Sequence, residues 1–228
     1  MLAPSWCVPD HRPPAASSLR DVLLHLAVVP PPALVDEASA LLRDLRAPAP
    51  ARGGGVGRLL GRSRTTPAGP APLDLLDPDL VLLPVTPLGN LTPRDARRLA
   101  AAVTAALAPL PRPVVRTHGG VALEPIGDDR VQVRLVGDEA GLRTVVSATL
   151  GAIEQVGIFC DRRVFRPLLP LARVNEATTE ADLEAALAAL DGPEGRPWAV
   201  DHVALLQRPA DARTQPSRVV ERIPVGAP

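Results

Sequence analysis

Histidine and cysteine are the side chains best suited to proton transfer or nucleophilic attack near neutral pH. The sequence has four histidines and two cysteines: Cys7, His11, His25, His118, Cys160 and His202. None of the histidines lies in a metal-spaced pair. Cys7 and His11 lie close together, but two ligands in a flexible tail make a poor metal site. We therefore expect no metal and no cofactor, and ordinary structural roles for His118 and His202.

The glycine-rich stretch GGGVGRLLGRS, residues 53–63, is superficially similar to a phosphate-binding loop. Such a loop needs glycine five residues before its second glycine and lysine after it, but Val56 and Arg62 stand there. Residues 47–72 are rich in proline, glycine and arginine, so we expect a mobile loop. In the alternative interpretation, four arginines of this loop contact a phosphate backbone: Arg52, Arg58, Arg62 and Arg64.

The composition of the 228-residue chain is that of a globular protein, with 46% hydrophobic and 22% charged residues. Its 25 basic and 25 acidic residues cancel, which argues against a protein that grips nucleic acid mainly by electrostatics. The cysteines are far apart, so we expect no disulfide framework and a reducing cytoplasm. Residues 1–20 show no signal-peptide pattern, and no apolar run reaches the ~18 residues of a membrane span. We expect a soluble, cytoplasmic protein.

Apolar periodicity and capping residues predict the elements that would position the reactive side chains. Strands are expected at 21–29, 79–91, 112–125, 129–137 and 165–174, with a closing hairpin that pairs 198–207 with 217–225. One helix follows the prolines at 30–32, and others begin at the caps Thr92 and Thr179 and at residue 138. Gly157 and Gly192 are expected to end the last two helices.

The tripeptide Leu-Leu-Pro occurs at 82–84 and again at 168–170, and each copy precedes a capped, alanine-rich helix. This repeat predicts two pseudo-symmetric lobes, each with helices on one face of an antiparallel sheet. The expected fold is therefore α+β and bilobal, with pseudo-twofold duplicated antiparallel sheets, outer helices and a central cleft. Residues 21–228 would form this single domain, and residues 1–20 a flexible extension. We expect the two tripeptides to face each other across the cleft.

The segment FRPLLPLARV, residues 165–174, resembles the second motif of the two-histidine phosphoesterase superfamily, usually F-[RK]-P-H-x-T-L-A-R. The closest group is the RNA 2′,3′-cyclic phosphodiesterases, also called the 2′-5′ RNA ligase family. Three other segments resemble that family's first strand, first motif and last strand: LAVVPPP, LLPVTPLGNLTP and RVVERIPVG. The resemblance covers residues 22–226.

The resemblance fails at the reactive positions. Alignment on the flanking residues places the family's histidines at Leu82 and Leu168, and its threonines at Pro84 and Pro170. A shifted register of the first motif aligns Thr86 with the family threonine, but Pro84 then stands at the histidine. Opening a cyclic phosphate needs one imidazole to deprotonate water and another to protonate the departing oxygen. Leucine and proline can do neither, so the resemblance implies no catalytic residue here.

The resemblance implies that Arg173, and less strongly Arg166, bind phosphate. We therefore interpret the chain as a catalytically degenerate family member that retains weak binding of nucleotides or RNA ends. One alternative is an active cyclic phosphodiesterase that uses displaced residues, such as His118 or His202 with Arg173. Another is a structural or interaction protein with a closed apolar cleft, filled by Leu82 and Leu168.

Proline lacks the backbone donor that a central strand needs. Pro84 and Pro170 are therefore predicted to lie at bulges, or where their nitrogen faces no partner strand.

Overall fold

The computed structural model describes residues 23–45, 71–122, 129–160, 164–209, 211 and 214–226. The predicted extension at 1–20 lies outside these residues, as does nearly all of the predicted loop at 47–72. The described elements are β1 (Leu23–Val28), α1 (Pro32–Asp44), β2 (Leu73–Leu75), β3 (Leu83–Asn90), α2 (Pro93–Leu107), β4 (Val114–Ala122), β5 (Arg130–Gly137), α3 (Glu139–Gln155), β6 (Leu168–Val174), α4 (Glu180–Leu190), β7 (Trp198–Ala199), β8 (His202–Arg208) and β9 (Arg218–Pro224). A short 3₁₀ turn covers Pro78–Leu80.

The strands form two antiparallel sheets. The first sheet has the order β3-β1-β8-β9, and the second has the order β2-β6-β5-β4-β7. Helices pack against the sheets and one another: α2 contacts α3, α4 lies on β4 and β5, and α1 contacts α4. This arrangement confirms the α+β class and the antiparallel sheets predicted from the sequence.

The predicted caps define where the helices begin. Thr179 and Asp182 form a reciprocal capping box at α4: the Thr179 N–H donates to Asp182 Oδ2 at 2.9 Å, and the Asp182 N–H donates to Thr179 Oγ1 at 3.2 Å. At α2, Thr92 Oγ1 accepts from the Asp95 N–H at 3.1 Å, and Pro93 occupies the first turn. Each cap satisfies an N–H that the helix itself leaves without a partner.

The sequence does not indicate where the chain passes from the second sheet to the first. The segment predicted as one strand at 198–207 is divided, because β7 joins β4 in the second sheet while β8 joins β1 in the first. The Val200 N–H donates to Pro113 O at 2.9 Å, and Asp201 O accepts from the Val225 N–H at 2.8 Å. The chain thus crosses between the sheets at Val200–Asp201. The predicted hairpin is confirmed for β8 and β9.

Strand β2 lies next to the predicted loop and was not predicted. It pairs with β6 through Leu73↔Val174, and Leu73 is buried. The Asn175 side-chain amide donates to Ala71 O at 2.8 Å and to Asp74 Oδ1 at 3.0 Å, which fixes the strand at its start. A three-residue strand is too short to show an alternating pattern, and long-range pairing with β6 determines its conformation.

Both motif prolines lie at bulges, as predicted. The β1–β3 register passes from Ala27↔Pro84 to Leu26↔Thr86, so the extra residue Val85 follows Pro84. The β5–β6 register passes from Gln132↔Pro170 to Val131↔Ala172, so Leu171 is the extra residue. A bulge interrupts the ladder locally and therefore tolerates a residue without an N–H donor.

Candidate functional site: a cleft between the two sheets

A cavity of about 460 Å³ opens between the first and second sheets. Strands β1 and β3 form most of one wall, and β5 and β6 contribute Arg130 and Pro170 from the other sheet. The polar side chains that line it are His25, Thr86, Arg130, Arg208, Gln215 and Ser217. Its described lining contains no aspartate or glutamate, so the charged groups present are all cationic. Such a cavity favours an anionic ligand.

Three of the four positions that the sequence resemblance aligns with the family's reactive residues line this cavity: Leu82, Pro84 and Pro170. Leu82 is half-buried and packs against a small cluster of Ala27, Ala204 and Leu206. The fourth position, Leu168, does not line the cavity. It pairs with Arg134 at the start of β6 and lines a separate pocket. The expectation that both tripeptides meet in one cleft therefore holds for Leu82, Pro84 and Pro170 and is wrong for Leu168.

The cavity does contain one histidine, His25, which the sequence analysis did not assign to it. Side chains alternate along β1, so Leu24 and Leu26 enter the main core while His25 and Ala27 face the cleft. The His25 Nδ1 atom is buried and has no hydrogen-bond partner among the described residues. A signal was present in the sequence: His25 is the single polar residue in the apolar strand LLHLAV.

The environment of His25 favours its neutral form. Burial lowers the pKa of His25 below its ordinary value of about 6.5, and the positive charge of Arg208 lowers this pKa further. A neutral imidazole has one nitrogen that can accept a proton or a hydrogen bond. Among the described residues, His25 is therefore the one potential imidazole base that lines the cleft, and Arg130 and Arg208 line the same cavity.

We expect the free energy of unfolding to fall as the pH drops below about 6.5, because unfolded His25 then binds a proton that the folded state disfavours. The contribution of neutral His25 to the free energy of unfolding is fully present above pH ~6.5. This contribution is lost as the pH falls toward the lower pKa of His25 in the folded protein. Urea unfolding of the native chain and of His25→Gln, at a series of pH values from 8 to 5, measures this dependence. The His25→Gln variant should show the shallower loss. If the free energy of unfolding fell equally steeply with pH in the two proteins, His25 would not be the source of this pH dependence.

The predicted phosphate-binding arginines occupy different places. Arg173 is half-buried on β6, opposite Arg130 of β5 and Asp74 of β2, and its side chain does not line the cavity. Arg166 is exposed just before β6 and lines the separate pocket beside Leu168. The phosphate roles of Arg173 and Arg166 stay predictions. The cationic groups that the structure places in the cavity are instead Arg130 and Arg208.

The other two described histidines do not line the cavity either. His202 opens β8, and its Nδ1 lies 2.6 Å from Asp201 Oδ1. His118 lies in β4, where the β4–β5 register shifts between Thr117 and Gly120. The alternative that pairs a displaced histidine with Arg173 therefore has no support at these two positions. Within the described residues, no group of three or more His, Cys, Asp or Glu side chains is placed to hold a metal ion.

The separate pocket has a volume of about 250 Å³ and lies where β5 ends and β6 begins. It is lined by Arg134, Glu139, Arg143, Arg166 and Leu168, together with Val121, Leu135 and Pro167. We call it the β6 pocket.

No helix in the described part of the chain is both long enough and apolar enough to span a bilayer.

Solved structures share this fold. The structure of TT0787 from Thermus thermophilus aligns with a TM-score of 0.56 and 18% identity, over 89% of this chain and 97% of that one. Escherichia coli LigT complexed with 3′-AMP aligns with a TM-score of 0.58 and 16% identity, over 90% and 98%. A structure described as a phosphoesterase aligns with a TM-score of 0.58 and 16% identity, over 90% of this chain and 99% of that one.

These alignments establish the class of fold. The chain has the two-sheet α+β fold of the LigT and phosphoesterase structures, over nearly the whole length of each. This agrees with the predicted resemblance to the two-histidine phosphoesterase superfamily. The sequence itself matches no protein-family model and no curated protein.

Proposed function

We propose that this protein belongs to the RNA 2′,3′-cyclic phosphodiesterase, or 2′-5′ RNA ligase, family and binds a nucleotide or RNA-end phosphate in its cleft without carrying out the family reaction. The observation that carries this proposal is the cavity between the sheets, which places Arg130 and Arg208 beside Leu82, Pro84 and Pro170. The wide spacing of its cysteines favours the cytoplasm as its location.

Phosphate binding is supported by the charge of the cleft. Guanidinium groups bind phosphate oxygens through directed, charge-assisted hydrogen bonds. The described lining contains two of them and no carboxylate. LigT, which has the same fold, has been crystallised with 3′-AMP, with NADP⁺, with ATP and with phosphate. A ligand that carries one phosphate group and one nucleoside is therefore the simplest occupant.

The loss of catalysis is supported by the chemistry of the lining. Hydrolysis of a cyclic phosphate needs both a proton acceptor for water and a proton donor for the departing oxygen. Among the described cavity residues, His25 is the single imidazole, and no second one faces it. Each missing acid or base typically costs about 10²–10⁴-fold in rate. Binding can survive this loss because the arginines do not depend on the missing imidazoles.

An active cyclic phosphodiesterase is the second candidate, and His25 is the observation in its favour. A neutral His25 would take a proton from water as the water attacks phosphorus, and Arg130 or Arg208 would stabilise the negative charge on the phosphate oxygens. The proton for the departing oxygen would come from solvent. A closed apolar cleft has less support, because the cavity has charged groups in its lining.

Two measurements on one ligand test the proposal. Calorimetric titration with 2′,3′-cyclic AMP should show saturable binding, and chromatography of the same mixture should show no nucleotide product above the uncatalysed background. Absence of binding would reject the proposed function. Brisk turnover that the His25→Gln substitution abolishes would establish the second candidate in its place.

A further inference from the structure

Much of the cleft wall is aliphatic, although the charged groups in it are cationic. The apolar side chains that line the cavity and keep part of their surface accessible are Leu23, Leu80, Leu82, Pro84 and Pro87. The side chain of Leu23 is 45% exposed. Covering such apolar surface inside a concave cavity with a hydrocarbon is favourable, because both are removed from water. The lining therefore favours a ligand with an aliphatic part.

The described lining of the cleft contains no phenylalanine, tyrosine or tryptophan. The whole sequence has two phenylalanines, two tryptophans and no tyrosine. Proteins commonly hold an unpaired base by stacking it on such a ring. Leucine and proline side chains have no aromatic face for stacking, but they make close contacts with a flexible hydrocarbon chain. The apolar wall of the cleft is thus better suited to an aliphatic group than to a base.

One end of the cleft is polar. Arg208 is the last residue of β8 and pairs with Leu23, the first residue of β1. Gln215 and Ser217 precede β9, which begins beside the same end of β8, and both line the cavity. The end of the cleft at Leu23 thus offers a guanidinium group, an amide and a hydroxyl. These groups can donate hydrogen bonds to the oxygens of a phosphate.

The opposite end of the cleft is apolar. Ala27 pairs with Pro84 of β3, and Leu82 packs against Ala27 in a small apolar cluster. Leu23 and Ala27 are four residues apart on β1, so about 13 Å separates the two ends at ~3.3 Å per residue. The sequence resemblance aligns Leu82 and Pro84 with a histidine and a threonine, which would make this end polar. In this chain the apolar wall continues instead.

We propose that the cleft also binds an aliphatic phosphate monoester, whose phosphate lies at Arg208 and whose hydrocarbon chain extends along β1 onto Leu82 and Pro84. This inference shares its phosphate site with the proposed function and goes beyond it, because the ligand carries no nucleoside. The hydrocarbon chain passes His25, which lies between the two ends. Burial and the charge of Arg208 lower the pKa of His25. The imidazole is therefore uncharged near neutral pH and costs less to cover than a charged group.

A series of alkyl phosphates tests the hydrocarbon chain. Calorimetric titration gives the affinity of the native protein for butyl, hexyl and octyl phosphate, each kept below the concentration at which it forms micelles. We expect octyl phosphate to bind at least about tenfold more tightly than butyl phosphate, since each buried methylene strengthens binding by about fourfold. Octan-1-ol lacks the phosphate and should bind at least about tenfold more weakly than octyl phosphate.

Three variants locate the two parts of the ligand. Leu82→Asn and Leu80→Asn place a polar amide at half-buried positions of the lining. Each should reduce the preference for octyl over butyl phosphate by at least about threefold, because part of the chain then contacts a polar group. Arg208→Gln should weaken the binding of all three alkyl phosphates and keep that preference. Leu45→Asn, at an exposed position that does not line the cavity, is the matched control and should bind like the native chain.

Each other outcome decides one point. If 2′,3′-cyclic AMP binds and the three alkyl phosphates bind equally, the aliphatic ligand is rejected and the proposed function stands. If octyl phosphate is preferred and 2′,3′-cyclic AMP does not bind, the nucleotide is rejected and the aliphatic ligand stands. Thermal unfolding shows which variants are folded, and an undiminished preference in folded Leu82→Asn and Leu80→Asn would overturn the placement of the chain. Octan-1-ol that binds as tightly as octyl phosphate would overturn the phosphate site. If no ligand binds, the proposed function and this inference fall together.

Discussion

The quadruple variant Leu82→His/Pro84→Thr/Leu168→His/Pro170→Thr is expected to hydrolyse 2′,3′-cyclic AMP at least about 10²-fold faster than the native chain. Leu82, Pro84 and Pro170 already line the cavity, so three of the four new side chains enter it directly. An imidazole exchanges protons near neutral pH, and a threonine hydroxyl donates to a phosphate oxygen. Initial rates of product formation, measured by chromatography, give the gain.

The gain in hydrolysis rate should be only part of what a full acid–base pair provides. Leu168 lines the β6 pocket, so an imidazole at that position must turn toward the cleft. The matched control is Leu82→Gln/Pro84→Thr/Leu168→Gln/Pro170→Thr. Glutamine is polar and forms hydrogen bonds but exchanges no proton near neutral pH, so this protein should stay as slow as the native chain. If the glutamine control gained as much as the histidine variant, proton exchange by the introduced imidazoles would not be the cause of the faster hydrolysis.

The double variant Arg130→Gln/Arg208→Gln should lose most of its affinity for 2′,3′-cyclic AMP. The two arginines line the cavity from different sheets and are the charged groups best placed to hold a phosphate there. A hydrogen bond to a charged group contributes about 1.5–3 kcal/mol, so each substitution should weaken binding by about 10- to 150-fold. Calorimetric titration of the two single variants and the double variant measures the losses.

Two features of this experiment separate binding from folding. Arg97→Gln removes one positive charge from α2, outside the cavity lining, and should bind like the native chain. Thermal unfolding of each variant shows whether the fold is retained. Unchanged affinity in a folded double variant would mean that the ligand lies elsewhere, for example at Arg173, as the sequence resemblance implies.

Local signals in the sequence were sufficient for much of the fold. The capping box of Thr179 and Asp182 depends on residues three apart, and the structure contains both of its hydrogen bonds. The prolines predicted bulges because a missing N–H has the same consequence in any sheet. These features depend on neighbouring residues, so a pattern of residue types is enough to locate them.

Long-range pairing determined what could not be predicted. The bulge at Leu171 brings Arg173 onto the same face as Pro170, three residues earlier, although strict alternation would place them on opposite faces. The position of Trp198–Ala199 in the second sheet depends on β4, and no local pattern marks it. The location of His25 in the cleft required knowing that the second sheet covers that face of β1, since alternation alone does not say what lies opposite.

The pairing of β1 has a consequence for how the protein is made. β1 lies between β3 and β8 in the first sheet, and β8 comes near the end of the described chain. During synthesis from the ribosome, one edge of β1 must therefore wait without its partner until almost every other element has emerged. An unpaired apolar strand edge is a template for aggregation. That edge of β1 is therefore the part of the first sheet that stays open to pairing with another chain for longest during synthesis.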